Sequence, residues 1–416
     1  MIRSTSLLKI ILFTTALVLN SIFIGNLFNP ASAQPSINDS NLKAEVLVKG
    51  LSSPTSMAFL DNNNILVLEK EGTVRLVSKG ILQDSPILQL PVDSKNERGL
   101  LGIAVMNNDL TISTTEGKST AVFLYFTEEG KESANKVYKY RWDGNTLVDP
   151  TLILDLPAGP GTNHQGGKLV IGPDHYLYVV IGELQREGKL QNIKNGPEPD
   201  DSGVIFRVDP QNGSPAKNNP FQGDMVNRYY AYGIRNSFGI AFDSLTGALW
   251  DTENGEKSYD EINIVKPGFN SGWKLVMGPL SKNGISQNDL VNLPGSKYAD
   301  PVFSWVDSFG ITDLEFFNSS KLGQKYTNNI FVGDITNGNL YFFEVNQSRN
   351  GLKFNDGNSS SGLSDLVADN KQEISAVTLG TGFGGITDIE TAPDGSLYIL
   401  SYDDGPIYRI SSNTNQ

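Results

Sequence analysis

Residues 167–180, with the sequence GKLVIGPDHYLYVV, contain the pattern that decides the fold. A short apolar stretch, Gly167–Val170, leads through Gly172-Pro173-Asp174 to a second apolar stretch that begins at Leu177. Short runs of β-branched and aromatic residues between Gly, Pro and Asp indicate buried strands. This stretch therefore predicts two strands joined by a tight turn.

The same pattern recurs along the chain, with six copies that begin at Met57, Gly99, Gly167, Gly239, Ile311 and Gly385. One such hairpin cannot bury both of its faces alone, whereas hairpins packed around a common axis bury both and leave only short edges. We therefore predict an all-β fold, a six-bladed β-propeller of four-stranded antiparallel blades. A pair of β-sandwiches is the alternative, which the absence of any linker between copies disfavours.

The first 33 residues have the layout of an export signal. Arg3 and Lys9 give a basic start, an apolar run follows from Ile10 to Phe28, and the segment ends in Ala31-Ser32-Ala33. This three-part arrangement is typical of a secretory signal peptide with a small-residue cleavage site. We predict cleavage after Ala33, a mature domain of residues 34–416, and a periplasmic or extracellular location. An uncleaved membrane anchor is the alternative.

Composition excludes several function classes. The formal net charge is −13, which argues against nucleic acid because Lys and Arg would have to neutralise phosphates. No later segment is apolar enough to cross a bilayer. The chain has no cysteine, so it has neither disulfides nor a cysteine metal site. There is also no nucleophile elbow, phosphate loop or dinucleotide-binding glycine fingerprint.

Histidine occurs twice, and the two positions differ in context. His175 lies in a hairpin turn, where a solvated role is expected. His164 lies in the glycine-rich loop 159–167 that leads directly into a strand. Loops on a rigid scaffold often carry sites, and histidine suits proton abstraction near neutral pH. A loop histidine bonded to its own backbone is the alternative for His164.

Arg235 and Asn236 occupy, in the next repeat, the place that His164 and Gln165 occupy in theirs. Analogous positions in neighbouring blades face the same end of a propeller, so these side chains are expected to lie near His164. An arginine there can bind a planar or anionic group through its fork of donors. A surface salt bridge is the alternative for Arg235.

An acidic stretch follows, at 251–256 and 260–263, with sequences DTENGE and DEIN. Closely spaced oxygen donors on a glycine-containing loop suit a hard cation such as calcium. The spacing does not match an EF-hand, and a solvated acidic turn is the alternative.

Taken together, these residues resemble the soluble glucose/sorbosone dehydrogenase family. The stretches that carry the resemblance keep the family's order and cover most of the mature chain: they are 96–102 (NERGLLG), 163–169 (NHQGGKL), 233–239 (GIRNSFG), 253–263 (ENGEKSYDEIN) and 268–273 (GFNSGW).

The resemblance implies an enzyme that oxidises an aldose at C1 by hydride transfer to pyrroloquinoline quinone (PQQ), with calcium bound and electrons passed to an external acceptor. It implies a monomer or dimer that acts on a small sugar. The implied site residues are His164 as base, Asn163 orienting it, Glu97 near the substrate, Arg235 and Asn236 on the quinone, backbone carbonyls of Gly255 and Glu256 on calcium, and Glu253, Asp260 and Glu261 as supporting acids.

The chain departs from the family in its last two repeats. Relatives hold the carboxylates of the cofactor with Lys or Arg there, whereas this chain has Thr336 and Thr387 on that wall. Each lost charge-assisted hydrogen bond is worth about 1.5–3 kcal/mol. A non-catalytic propeller that binds a sugar, glycan or protein therefore stays open as an alternative. A calcium-dependent lactonase is a third reading, disfavoured because its motifs differ.

Overall fold

Strands dominate the structure, a computed structural model that describes residues 34–107, 120–354, 362–403 and 405–413. The predicted signal peptide lies outside these residues. The strands are β1 (Ser36–Ile37), β2 (Leu42–Val48), β3 (Pro54–Phe59), β4 (Asn64–Glu69), β5 (Thr73–Ser78), β6 (Ile81–Leu82), β7 (Leu88–Gln89), β8 (Leu100–Asn107), β9 (Thr120–Glu128), β10 (Ala134–Trp142), β11 (Leu147–Pro157), β12 (Leu169–Ile171), β13 (Leu177–Ile181), β14 (Val204–Val208), β15 (Tyr229–Tyr232), β16 (Gly239–Phe242), β17 (Leu249–Glu253), β18 (Ser258–Val265), β19 (Phe269–Asn270), β20 (Lys297–Tyr298), β21 (Phe303–Asp307), β22 (Ile311–Phe317), β23 (Asn329–Asp334), β24 (Leu340–Phe343), β25 (Val367–Ala368), β26 (Thr378–Thr381), β27 (Ile386–Thr391), β28 (Leu397–Ser401) and β29 (Ile407–Ser412).

Helical structure in the described residues is slight. The α-helix α1 spans Lys371–Val377, and Asn370 caps its amino end by accepting hydrogen bonds from the N–H groups of Gln372 and Glu373. Short 3-10 helices span Lys189–Gln191, Leu280–Lys282, Gln287–Asp289 and Leu363–Asp365. None of the described helices is long and apolar enough to cross a membrane.

Hydrogen bonding groups the described strands into six sheets, which we number along the chain. Sheet 1 contains β3–β7, sheet 2 β8–β11, sheet 3 β12–β15 with β19 and β20, sheet 4 β16–β18 with β21 and β25, sheet 5 β22–β24 with β26 and β1, and sheet 6 β27–β29 with β2.

The first strands of the sheets form a closed inner ring. In the order β3, β8, β12, β16, β22 and β27, each contacts the next, and β27 contacts β3. Sheet 6 closes the ring with both ends of the described chain, because β2 pairs antiparallel with β29 from Leu42–Ser412 to Val48–Ile407. Since all six inner strands begin at the same end of the ring, the loops before them meet there.

The hairpin pattern read from the sequence is the physical basis of this ring. All five side chains of β13 are buried, and β13 pairs antiparallel with β12 and β14. Apolar side chains also pack between sheets: Phe123 and Tyr125 of sheet 2 share a cluster with Val179 and Phe206 of sheet 3. The large apolar area removed from water between neighbouring sheets stabilises the ring.

The predicted all-β propeller is confirmed, but the uniformity of its blades is not. The described sheets have four to six strands rather than four, because short strands such as β19, β20 and β25 add to sheet edges in parallel orientation. The structure is counted as having five blades, one fewer than the six predicted. Its described strands nevertheless form six hydrogen-bonded sheets around the inner ring.

Candidate functional site

Two loops at one end of the ring bring His164 and Arg235 together. His164 precedes β12 and Arg235 precedes β16, and both loops rest on the residues that follow β13. Glu183 donates its N–H to the carbonyl of Arg235 at 2.9 Å, and Leu184 donates to the carbonyl of His164 at 3.4 Å. A Cβ on Gly182 would lie 2.2 Å from the His164 carbonyl oxygen and 2.9 Å from that of Arg235. Glycine at 182 is therefore needed for this close approach.

The imidazole ring of His164 is held on both nitrogens. Nδ1 is in close contact with Oε1 of Glu183, and Nε2 lies 2.9 Å from Nη2 of Arg235. A guanidinium can only donate, so Nε2 accepts, and Nδ1 carries the proton shared with the carboxylate. The side chain is 16% exposed. The ring therefore presents Nε2 to Arg235 as its acceptor nitrogen.

Arg235 is buried among acceptors. Its Nη1 donates to the carbonyl of Asn254 at 2.8 Å, its main-chain N–H donates to Oε2 of Glu253 at 2.9 Å, and its guanidinium lies 5.1 Å from the ring centre of Trp273. Burial lowers the pKa of Arg235, which nearby carboxylates such as Glu183 partly offset. Its Nε has no hydrogen-bond partner in the part of the chain that the structure describes.

The side chain of Glu97, in the loop before β8, bonds to the loops that precede β12 and β16. Its Oε2 accepts the main-chain N–H of His164 at 2.7 Å and Nδ2 of Asn236 at 3.0 Å. The Oδ1 of Asn236 in turn accepts the N–H of Gly166 at 3.3 Å. Glu97 and Asn236 therefore support the His164 loop, and Glu97 also lines the cavity beside it.

A cavity of about 260 Å³ opens at the beginning of the inner strands. Its apolar wall includes Leu101, Phe238 and Ile335, and its polar groups include Glu97, Lys70, Lys168 and Thr387. Cavities of this kind, apolar with a few convergent polar groups, are the usual form of small-ligand sites.

Lys70 is the less neutralised of the two lysines in this cavity. Its Nζ donates to the carbonyl of Ser94, and it makes no ion pair within the described ranges. Burial lowers its pKa, with partial compensation from Glu71, Asp93 and Glu97. A half-buried cation without a paired carboxylate is well suited to an anionic ligand.

The structure assigns two predicted residues to other contacts. The side chain that orients His164 is Glu183, which follows β13, whereas Asn163 contributes only its carbonyl to Nε2 of Gln165 at 3.2 Å. Thr336 is exposed and donates its N–H to the carbonyl of Phe309 at 3.3 Å, away from the cavity lining. Thr387 does line the cavity, and its hydroxyl donates to the carbonyl of Pro54 at 3.0 Å.

The acidic residues predicted to support calcium do not gather at one point. Both carboxylate oxygens of Asp260 are occupied: they accept the N–H groups of Gly255, Phe309 and Gly310 at 3.0, 2.6 and 2.8 Å, and the hydroxyl of Ser308 at 2.7 Å. Asp260 therefore fixes the turn that carries Gly255. Glu256 is exposed in that turn.

Glu253 and Glu261 form a separate buried cluster with Asp251 and Asn263. The register of β17 and β18 places Glu253 opposite Glu261, and Asp251 opposite Asn263. Burial raises the pKa of Glu253 to about 7 and raises those of Asp251 and Glu261 well above their ordinary values. Within the described ranges, no set of three or more His, Cys, Asp or Glu side chains has an arrangement that could hold a metal ion.

Comparison with known proteins agrees with this architecture. The family model described as glucose/sorbosone dehydrogenase matches residues 51–409. The chain belongs to the glucose/sorbosone dehydrogenase family. This family consists of sugar dehydrogenases, so its members are oxidoreductases.

Relatives within the glucose/sorbosone dehydrogenase family extend over most of the chain. The aldose sugar dehydrogenase YliI of Escherichia coli is 27% identical over 380 residues, 89% of this chain and 93% of that protein. Quinoprotein glucose dehydrogenase B of Acinetobacter calcoaceticus is 29% identical over 272 residues, 59% of this chain and 55% of that protein. The PQQ-bound aldose sugar dehydrogenase of Streptomyces coelicolor shares the fold, with a TM-score of 0.66, 23% identity and coverage of 90% of this chain and 99% of that one.

Proposed function

We propose that the protein oxidises an aldose at C1, with His164 as the base and PQQ as the hydride acceptor. The observation that carries this proposal is the position of His164, whose Nδ1 contacts Glu183 and whose Nε2 accepts from Arg235 at 2.9 Å. A neutral imidazole with a fixed tautomer is ready to take a proton. The lone pair of Nε2 is the atom that would receive the proton of the anomeric hydroxyl.

In this proposal, Glu183 and Arg235 assist the transfer of a proton to His164. Glu183 stabilises the imidazolium that forms, because its carboxylate already contacts Nδ1. Arg235 orients Nε2 before substrate arrives and must release it as the sugar hydroxyl approaches. Loss of the hydroxyl proton places negative charge on the sugar oxygen, which favours departure of the C1 hydrogen with its electron pair. When bound, PQQ supplies the acceptor for that hydride.

The described residues fit a planar anionic ligand. The cavity has flat apolar surface at Phe238 and Leu101, a cation at Lys70, and Arg235 nearby with its Nε unpartnered. Lys70 lies in the turn between β4 and β5, in the sheet next to that of Thr387, so it supplies positive charge where the last two repeats lack it. We propose that Lys70, Arg235 and Asn236 would hold the cofactor, with a neutral contact from Thr387.

Calcium would be held, in this proposal, by the carbonyls of Gly255 and Glu256. The carbonyl oxygen of Gly255 accepts only a long hydrogen bond, 3.3 Å from the hydroxyl of Ser308, so it retains capacity for a hard cation. Asp260 keeps the turn in place. Such a cation would polarise a bound acceptor and stabilise negative charge there.

We further propose that residues 1–33 are a signal peptide cleaved after Ala33. Residues 34–416 would then form the mature domain, in which each of the six sheets is one blade, acting in the periplasm or outside the cell. Its partners would be a small sugar and an external electron acceptor, and it would act as a monomer or dimer.

Titration of the purified mature protein with PQQ and calcium, followed by dye reduction with aldoses, tests the proposal. Binding and aldose-dependent reduction are expected. Absence of binding at micromolar cofactor would instead favour a propeller that binds sugar, glycan or protein without oxidising it.

The two histidines supply a matched pair of variants. His164 and His175 both have positive φ, of 60° and 65°, and asparagine tolerates that conformation. His164→Asn should abolish turnover and leave cofactor binding in place, whereas His175→Asn, in an exposed turn, should leave both unchanged. Loss of cofactor binding in His164→Asn would contradict its assignment as base.

A further inference from the structure

A group of ionisable side chains lies inside the inner ring and meets the site described above only at Lys168. Lys168 stands before β12, Asp313 and Glu315 lie on β22, and Asp388 and Glu390 lie on β27. Nζ of Lys168 lies 2.7 Å from Asp388, 3.0 Å from Asp313 and 3.9 Å from Glu390. We call these five residues the axial cluster.

The axial cluster extends from one end of the ring to the other. Lys168 lines the site cavity at the beginning of the inner strands, as does Ser56, whose hydroxyl donates to Oδ2 of Asp388 at 2.7 Å. Glu390 lines a second, wider cavity of about 740 Å³ formed by the carboxyl ends of the same strands. Because side chains two residues apart on a strand share a face, Asp388 and Glu390 succeed each other along the axis.

The two strands supply these acids in the same register. Thr312-Asp313-Leu314-Glu315 on β22 matches Thr387-Asp388-Ile389-Glu390 on β27. The N–H of Ile389 donates to Asp313 at 2.9 Å, and that of Thr391 donates to Glu315 at 3.0 Å. The acids of both strands are therefore held side by side at two successive levels of the axis.

Stability alone does not explain this arrangement. Three carboxylates, those of Asp313, Asp388 and Glu390, lie within 3.9 Å of one ammonium group, and Asp313 and Asp388 are almost entirely buried. The desolvation of these charges costs more free energy than their attraction to one lysine contributes. Apolar residues of similar volume would therefore stabilise the ring at least as well. A set of acids that can share protons is consistent with these features.

The proposed reaction produces protons that must leave the site. When an aldose reduces two one-electron acceptors, the sugar gives up two electrons and two protons and becomes the lactone. His164 receives one of these protons, yet its side chain is only 16% exposed and is enclosed by Glu183 and Arg235. A bound sugar would cover the cavity beside it.

We propose that the axial cluster is a proton pathway that leads from the site cavity through the inner ring to the opening beside Glu390. Protons enter beside Lys168 and Ser56, pass among Asp388, Asp313 and Glu315, and leave from Glu390, whose side chain is 30% exposed. This inference rests on the proposed dehydrogenase function. Under it, Glu390 acts as the exit group and makes no contact with substrate.

The test compares Glu390→Gln with Asp394→Asn in the holoenzyme. Both residues line the same opening, but Asp394 bonds to Ser396 and Lys321 and does not contact Lys168. Glu390→Gln should lower kcat about tenfold, as expected for loss of one proton-transfer group. It should also increase the ratio of rates in H₂O and D₂O, leave KM and PQQ binding unchanged, and regain rate in formate buffer. Asp394→Asn should behave as wild type.

The possible outcomes separate the two proposals. Equal kcat values in Glu390→Gln, Asp394→Asn and wild type would overturn the pathway. So would a lower kcat in Glu390→Gln without a change in isotope ratio or rescue by formate, since a purely structural defect gives that result. A wild type that binds PQQ but oxidises no aldose would overturn the proposed function, and the pathway with it.

Discussion

Glu183 and His164 are linked by a contact between Oε1 of the carboxylate and Nδ1 of the ring. The contact decides which ring nitrogen is free, because the nitrogen that shares its proton with Glu183 cannot also act as base. Glu183→Gln keeps the shape but permits the other tautomer. We expect kcat to fall by at least about 10²-fold, in line with the loss of an orienting acid in a comparable histidine pair. Steady-state kinetics with an aldose and a dye acceptor measures this loss.

Asn163→Ala is the matched control for that measurement. Asn163 precedes His164 directly, but among the described residues only its carbonyl is engaged. The variant should keep kcat close to wild type. A larger loss of kcat in Asn163→Ala than in Glu183→Gln would instead show that Asn163 orients His164.

Gly182→Ala should displace the two loops that carry His164 and Arg235. The added Cβ would meet the carbonyls of His164 and Arg235 at 2.2 and 2.9 Å, so both loops must move apart. Overpacking of this kind costs about 1–3 kcal/mol, and kcat should fall at the same time because Nε2 loses its alignment. Thermal unfolding and kcat are to be compared with those of Gly130→Ala, where the nearest atom is 3.4 Å away. An unchanged kcat in Gly182→Ala would show that the loops are not held by this contact.

Lys70→Met should weaken the binding of PQQ. Lys70 supplies to the cavity a charge that makes no ion pair with a carboxylate within the described ranges, and one charge-assisted bond is worth about 1.5–3 kcal/mol. The dissociation constant, followed by fluorescence quenching, should therefore rise about tenfold or more. Lys70→Arg should keep most of the affinity, and Lys131→Met, on the surface, should keep all of it. Equal affinity in Lys70→Met would place the anionic groups of the cofactor elsewhere.

Stability should fall as pH rises through neutrality. Burial raises the pKa of Glu315 from 4.5 to about 7, and it also raises the pKa values of Asp313 and Glu390. The groups that face Glu315 are Asp313, Asp388, Glu390, Lys168 and Thr391. Between the unfolded and folded pKa values the folded protein binds more protons than the unfolded chain. The contribution of Glu315 to the free energy of unfolding is therefore fully present at pH values below the unfolded pKa of 4.5 and is lost as pH rises through about 7.

Calorimetry at about pH 5.5 and about pH 8 should show this loss as a Tm lower by about 2–4 °C at the higher pH. Glu315→Gln removes one of the titrating groups, so its Tm should depend less on pH over this range. Glu132→Gln, an exposed surface variant, should follow wild type. An unchanged slope in Glu315→Gln would show that its carboxyl group does not titrate on folding.

The propeller could be predicted from the sequence because its hairpins repeat locally. Strand signals such as Leu177–Ile181 depend on residues close together in the chain, and the ring follows from burying both faces. The site could be located because His164 and Arg235 stand at equivalent places in adjacent repeats. Their contact partners could not be predicted in the same way. Glu183 reaches His164 only because Gly182 lets three backbone segments converge, and no local pattern reports that convergence.

The acidic residues illustrate the same limit. Asp260 and Glu261 are adjacent in sequence, but successive side chains on a strand point to opposite faces. Asp260 therefore fixes the Gly255 turn, while Glu261 joins the buried cluster that contains Glu253. Because the two acids are neighbours in sequence, the sequence alone assigns them to one calcium site. The meeting of Lys168, Asp313 and Asp388 could not be predicted from the sequence, because each lies in a different repeat and only the closed ring brings them together.

The pairing of β2 with β29 has a consequence for how the molecule is made. The strand that opens the ring receives its partner only after almost the whole chain has left the ribosome, since Leu42 pairs with Ser412. Until then β2 has no strand to pair with in sheet 6, so this sheet is the last part of the ring that can be completed. Under the proposed export, this last hydrogen-bonded ladder would form on the far side of the membrane.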